Sequence, residues 1–162
     1  LKDAGIQPLT RIVRYTRRNS MGRAPFQVLI FPYRRTSSGD WEFAVFHRSD
    51  LRIWQGIAGG GEDDESPLDA ARRESFEEAG IPANASFIAL QTTASIKAAG
   101  FRESFLCGEE LFVVPEISFG VHVPERELTL SSEHVSMRWL SFSEAERLLR
   151  FDSNRTALWE LN

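Results

Sequence analysis

The stretch from Gly59 to Pro82 constrains this chain more than any other, because it spells out a loop, a capped helix and a helix stop in one passage. Ser66-Pro67-Leu68-Asp69 offers an N-cap hydroxyl, a proline at the first helical position and an acid three residues after the cap. Gly80 supplies a left-handed stop, and Pro82 prevents the helix from resuming. On such a helix Glu74, Glu77 and Glu78 stand at i, i+3 and i+4, so all three carboxylates leave from one face. Leu68, Ala71, Phe76 and Ala79 are expected to form the apolar flank on which the helix docks. Ahead of it, Ala58-Gly59-Gly60-Gly61 is expected to turn sharply and to let backbone approach a ligand. Adjacent acids repel each other unless something positive sits among them. Mg²⁺, a hard cation that takes oxygen ligands, meets that need.

The rest of the chain narrows the class of protein. Its 162 residues fit one domain with a real core, and 42% hydrophobic with 26% charged residues is ordinary for a soluble globular protein. No run of about 18 apolar residues is present, so no membrane span is expected. Residues 1–24 have no apolar core of the kind a secretory signal carries. Cys107 is the one cysteine, which excludes an internal disulfide framework or a thiolate zinc site, and a cytoplasmic setting is expected. Lys2, Arg11, Arg14, Arg17, Arg18 and Arg23 against Asp3 give residues 1–24 a net charge of +5, leaving −9 for residues 25–162 out of the total of −4. This basic segment has no aromatic platform or binding motif, so nucleic acid is not the expected partner. It reads as a leading arm ahead of a domain spanning 25–162.

Element signals are clear in several places. Phe26–Tyr33 is a continuous apolar run and reads as a buried strand; Thr36–Asp40 reads as a turn and Trp41–His47 as its hairpin partner. Further strands are expected at Ala85–Thr93, Glu110–Val114, Glu116–Val123 and Val135–Leu140, and helices at Phe142–Arg150 and Asn154–Leu161. Within Glu116–Val123, Ile117, Phe119, Val121 and Val123 alternate with Glu116, Ser118, Gly120 and His122; the second set is suited to lining a cavity. Strands interspersed with a few helices predict an α/β sandwich.

The spacing Gly59, five residues, Glu65, seven residues, Arg73-Glu74, two residues, Glu77-Glu78, one residue, Gly80-Ile81 resembles the Nudix box. That motif marks hydrolases of a nucleoside diphosphate linked to another moiety. One position departs: Ser75 stands where the family prefers an apolar residue. The resemblance implies an α/β/α sandwich with a mixed sheet between helices, and it extends less specifically over about residues 26–160. Arg48-Ser49-Asp50, Trp54-Gln55, Glu133-His134, Arg138-Trp139-Leu140 and Ser153-Asn154-Arg155 are similar to the branch that contains dihydroneopterin triphosphate and dATP pyrophosphohydrolases.

On that resemblance the expected activity is Mg²⁺-dependent cleavage of a nucleoside or pterin triphosphate into a monophosphate and pyrophosphate, with Mn²⁺ able to substitute. Glu74, Glu77, Glu78 and the backbone carbonyl of Ala58 are implied to hold the metal, with Glu74 also a candidate general base. Glu116 is implied as a further ligand or base, with Glu110 as its substitute. Glu65 and Arg73 are implied to pair and, with Gly59, to hold the loop against the helix. Arg48 and Arg34 are candidates for substrate phosphate, Trp54 for stacking on a base and His122 for a substrate contact. Members of the family often form homodimers. A nucleotide-sensing module without turnover and an RNA 5′-end pyrophosphohydrolase are the competing readings.

Overall fold

The computed structural model describes residues 23–98, 112–124 and 127–162. Cys107, Glu110 and residues 1–22 of the basic arm lie outside them. The described chain runs β1 (Arg23–Arg35), β2 (Trp41–Arg48), β3 (Trp54–Gln55), β4 (Ile57–Glu62), α1 (Pro67–Ala79), β5 (Ser86–Lys97), β6 (Val113–His122), β7 (His134–Leu140), α2 (Phe142–Leu148) and α3 (Asp152–Leu161).

Strand β1 is the spine of the sheet. It pairs antiparallel with β2 through one half and with β4 through the other, while β6 runs parallel along its second edge. The path β3-β2-β1-β6-β5 is completed by β7 on β2 and β4 on β1, giving a mixed seven-stranded sheet. A strand covered on both faces needs apolar residues at consecutive positions, and Val28, Leu29, Ile30 and Phe31 are all fully buried. Val28 and Ile30 pack with Ala70, Ala71 and Ala79 of α1. Leu29 and Phe31 pack with Ala145 and Leu149, from α2 and its cap, and with Ala157 and Leu158 of α3. Helices therefore cover both faces, and the fold is the expected α/β/α sandwich. Among the described residues no helix is long and apolar enough to cross a membrane.

Two local expectations are overturned. The glycine run is not a sharp turn but part of the extended strand β4, registered against Gln27, Val28 and Leu29. Pairing with the spine, rather than intrinsic propensity, sets its conformation. Phe76 is not on the docking flank of α1 either: it is 62% exposed, while Ser75 is fully buried beside Ala71 and Ala79. Helical phase decides this, since 71, 75, 78 and 79 share a stripe that 76 falls outside. Elsewhere the strands expected at Glu110–Val114 and Glu116–Val123 run together, where described, as the single strand β6, and Trp54–Gln55 adds the short strand β3. The other elements shift at their ends, most at β5, which continues to Lys97.

Candidate active site

Helix α1 is fixed at both ends. Ser66 Oγ accepts from the Asp69 N–H (3.2 Å), with Pro67 in the first turn. At the other end Gly80 takes φ 66° and its N–H donates to Phe76 O, while the Ile81 N–H donates to Ser75 O. A second hold comes from a distant segment, where the Thr129 N–H donates to Ala79 O (3.0 Å) and the Ser131 N–H to Glu78 O (3.1 Å). Glu77 and Glu78 thus sit in a rigid last turn that contains no basic residue. The helix dipole disfavours negative charge there.

Strand β4 approaches this face because it has no side chains in the way. A Cβ on Gly59 would overlap the Glu74 carboxyl, and one on Gly60 would lie 2.5 Å from the Arg23 guanidinium carbon. Arg73 ties strand, loop and helix together. Its Nε and Nη2 donate to the two oxygens of Glu65 (2.9 and 3.1 Å), Nη2 also to Gly60 O (2.8 Å), and Nη1 to Glu74 (2.9 Å) and Glu77 (3.2 Å). Glu65 is held below the usual carboxylate range, chiefly by the hydrogen bonds from Arg73.

Glu78 is the innermost acid, 2% exposed. Burial, then the nearby charges of Glu74 and Glu133, push its pKa up to about 9. Among the described residues its Oε2 has no hydrogen-bond partner, and it lies 3.4 Å from Nε2 of the buried His134. Burial also raises Glu74, partly offset by Arg73. The Ala58 backbone N–H lies near enough to Glu78 to favour its charged form, which places the outward edge of β4 beside that acid. A strand residue's N–H and C=O leave on the same side, so the Ala58 carbonyl faces this edge too. A metal ion fits this set: buried oxygen donors repel one another, one has no partner, and the helix end offers no counter-charge. As the side chains stand, no three acids or histidines among the described residues close around a common point. Glu74 and Glu77 are turned to Arg73 instead.

The structure brings only some of the other candidates to this face. Arg48 is close, and its guanidinium is held by Asp50 (2.9 and 2.8 Å) and Glu133 (3.1 Å). Glu116 lies on the α3 side of the sheet, bonded by Gln27 Nε2 (3.3 Å) and by Ser153. It is separated from Gly60 by strand β1, a span of roughly 10 Å at sheet spacing. Arg34 is paired with Glu42 (3.0 Å) and lies over the Trp139 ring at the other end of β1. Trp54 stacks on His47, with Arg138 against its ring. His122 is six residues along β6 from Glu116, about 20 Å at strand rise. It sits by Tyr33 (5.3 Å) in a cavity of about 520 Å³ lined also by Ile81, Pro82 and Val123.

Sequence reasoning names Glu133-His134 in the resemblance and Arg23 in the basic segment, but gives neither His134 nor Arg23 a role in the site. His134 has no ligand-type spacing to another histidine, and its contact with Glu78 spans two intervening strands. Arg23 had been counted with the basic arm, yet it begins β1 and lies over Gly60.

The fold, with an acid-faced helix set against a glycine strand, is that of the NUDIX hydrolases. The model of the NUDIX domain matches residues 25–159, and the chain belongs to that family. A Listeria monocytogenes protein described as a NUDIX hydrolase is 40% identical, with a TM-score of 0.77 over 86% of this chain and 92% of that one. Escherichia coli dihydroneopterin triphosphate pyrophosphohydrolase is 24% identical (TM-score 0.68, 86% of this chain and 95% of that one). A Caenorhabditis elegans Ap4A hydrolase is 20% identical (TM-score 0.65, 85% and 95%). An octanoyltransferase of Myxococcus xanthus is 29% identical over 137 residues, 83% of this chain; the chain spans about a third (32%) of that relative's length.

Proposed function

We propose that this chain is a divalent-cation-dependent pyrophosphohydrolase that cleaves a nucleoside or pterin triphosphate to a monophosphate and pyrophosphate. The observation that carries the reading is the buried, mutually repelling acid face of α1 set against a glycine strand. The similarity to the Escherichia coli enzyme, whose substrate is a pterin triphosphate, supports the choice of substrate class.

Glu74, Glu77, Glu78 and the Ala58 carbonyl would hold Mg²⁺, or Mn²⁺ in its place. The ion supplies charge neutralisation for the anhydride oxygens and acidifies water. The chain's own groups do the remaining work. Glu74, whose proton affinity is raised by burial, would alternatively serve as the base that takes the proton of the attacking water. Arg73 keeps Glu65, the Gly60 carbonyl and α1 in fixed relation, so the acid face keeps its shape when substrate arrives. Arg23, over Gly60, offers a cation to the phosphate chain. Glu116 lies on the opposite face of the sheet with Gln27 and Ser153, and is not counted among these ligands.

The test is a panel of dNTPs, NTPs, dihydroneopterin triphosphate, ADP-ribose and capped RNA, assayed with Mg²⁺ and with EDTA, with products identified as phosphate or pyrophosphate. Pyrophosphate release from a triphosphate, abolished by chelator, is the expected result. Turnover in excess EDTA would sink the cation reading. Tight binding without turnover would indicate a sensor, and preference for capped RNA would overturn the substrate class.

A further inference from the structure

The segment that clamps the end of α1 also delivers a side chain to it. After Thr129 and Ser131 bond the carbonyls of Ala79 and Glu78, the His134 N–H turns back to Ser131 O (3.3 Å), and the imidazole enters the protein against the Phe46 ring (5.1 Å). The outer side of this segment is tied as well: the Ser49 N–H donates to Glu133 O (2.8 Å), and Arg48 pairs with the Glu133 carboxylate. His134 therefore has little freedom to be anywhere else. Its side chain is fully buried, as is nearly all of Glu78, and Nε2 faces Oε2 at 3.4 Å. Among the described residues neither atom has a hydrogen-bond partner, nor does Nδ1, and at 3.4 Å the two are in contact without the alignment of a formed hydrogen bond. Two buried polar atoms that face only each other are complementary when the nitrogen carries the hydrogen and the oxygen is ionised.

We infer that His134 is a positioning residue for Glu78: its Nε2–H holds the inner oxygen Oε2, so that the outer oxygen is presented to the cation in one orientation. The inference rests on the reading of Glu78 as a cation ligand. Glu74 and Glu77 show what happens to a box acid without such a partner, since both are drawn to Arg73. Glu78 is kept from Arg73 by its depth, and among the described residues the imidazole is the side chain that faces its Oε2. Carboxylates that bind metals are themselves hydrogen-bonded, and removing that partner typically weakens metal affinity by about 10–100-fold. The plainer role for a buried histidine, packing on Phe46, makes a different prediction.

The experiment is Mn²⁺ binding to the full chain without substrate, followed by the EPR signal of free Mn²⁺, for wild type, His134→Phe and His134→Gln. Phe fills the space without an N–H; Gln keeps an N–H donor. The expected result is a dissociation constant about tenfold or more higher for His134→Phe and close to wild type for His134→Gln, with KM for the triphosphate at saturating Mn²⁺ unchanged in both. Unchanged Mn²⁺ affinity in His134→Phe overturns the inference, as does a His134→Gln variant as weak as His134→Phe. A wild type that binds no Mn²⁺ overturns the cation reading of α1 itself, and this inference with it. If His134→Phe does not fold, the ¹⁵N spectrum of the wild-type imidazole decides. Nε2 should be the protonated nitrogen and its resonance should move as Mg²⁺ saturates; a resonance that stays still overturns the assignment.

Discussion

Glu78 and Glu116 are both buried carboxylates, 2% and 3% exposed, on opposite faces of one sheet, and burial raises the pKa of each. Their surroundings differ in kind. Glu78 is flanked by the charges of Glu74 and Glu133, which outweigh that of Arg48, at a helix end with no basic residue. Glu116 is flanked by a neutral amide and a neutral hydroxyl, from Gln27 and Ser153, and by no other acid, although among the described residues its Oε1 also has no partner. A buried acid among hydrogen-bond donors is accommodated by the fold alone. A buried acid among acids is accommodated only as a neutral group or beside a cation. The first arrangement supports structure; the second costs stability and is what a cation-binding site needs.

The largest effect expected from this contrast is on turnover. Glu78→Gln should lower kcat by on the order of 10²-fold or more at saturating Mg²⁺, because ligand charge is lost where transition-state charge is stabilised. The same variant should melt at a higher temperature than wild type when both are metal-free at pH 8. A normal kcat in a folded Glu78→Gln protein would break the comparison. Gly59→Ala comes next. Its Cβ would overlap the Glu74 carboxyl, and displacing that carboxyl should cost tens-fold in kcat with about 1–3 kcal/mol of stability. Activity near wild type would show that Glu74 has room to move. Glu116→Gln should be smaller, about tenfold in kcat, since glutamine can keep both hydrogen bonds, to Gln27 and Ser153. A loss as large as that of Glu78→Gln would place Glu116 in the chemistry itself.

A subtler expectation concerns pH and the metal-free fold. Glu78 has a folded pKa of about 9 against an ordinary 4.5, so its stabilising contribution is full below 4.5 and is lost as pH rises through 9. His134 has a folded pKa of about 4, lowered by burial and then by Arg48, against 6.5, so its contribution is full above 6.5 and is lost as pH falls through 4. Together they give a plateau in melting temperature between about pH 4.5 and 6.5, with a decline on each side. Mg²⁺ should lift the alkaline limb in wild type and leave Glu78→Gln unmoved. Melting curves from pH 4 to 9, with and without Mg²⁺, test both limbs; an alkaline limb unchanged in Glu78→Gln would remove Glu78 as its cause.

Much of this was legible in the residues where the cause is local. Ser66, Pro67 and Gly80 specify the ends of α1 by capping chemistry, and the apolar run through Phe31 announces a strand buried on both faces. What was not legible depends on partners distant in the chain. Gly59, Gly60 and Gly61 have no strand propensity, and only pairing with β1 makes them extended. Phe76 reads as a docking residue by hydrophobicity, but the phase of the helix gives the interior to Ser75, whose buried Oγ has no partner among the described residues. The contact of His134 with Glu78 and the ion pair of Arg48 with Glu133 need the whole sheet to form before either exists.

The glycine strand also decides how this protein could be altered. A side chain at 59 would meet the Glu74 carboxyl, at 60 the Arg23 guanidinium, and at 61 the Phe26 ring. A saturation library across Ile57–Glu62 would therefore separate by failure mode. Variants at 59 would drop out in an activity screen and those at 60 in a screen at limiting substrate. Variants at 61, where the obstacle is a core aromatic, would already be missing at expression. Retargeting the enzyme would have to begin from other strands, because this one is occupied by its neighbours at every glycine.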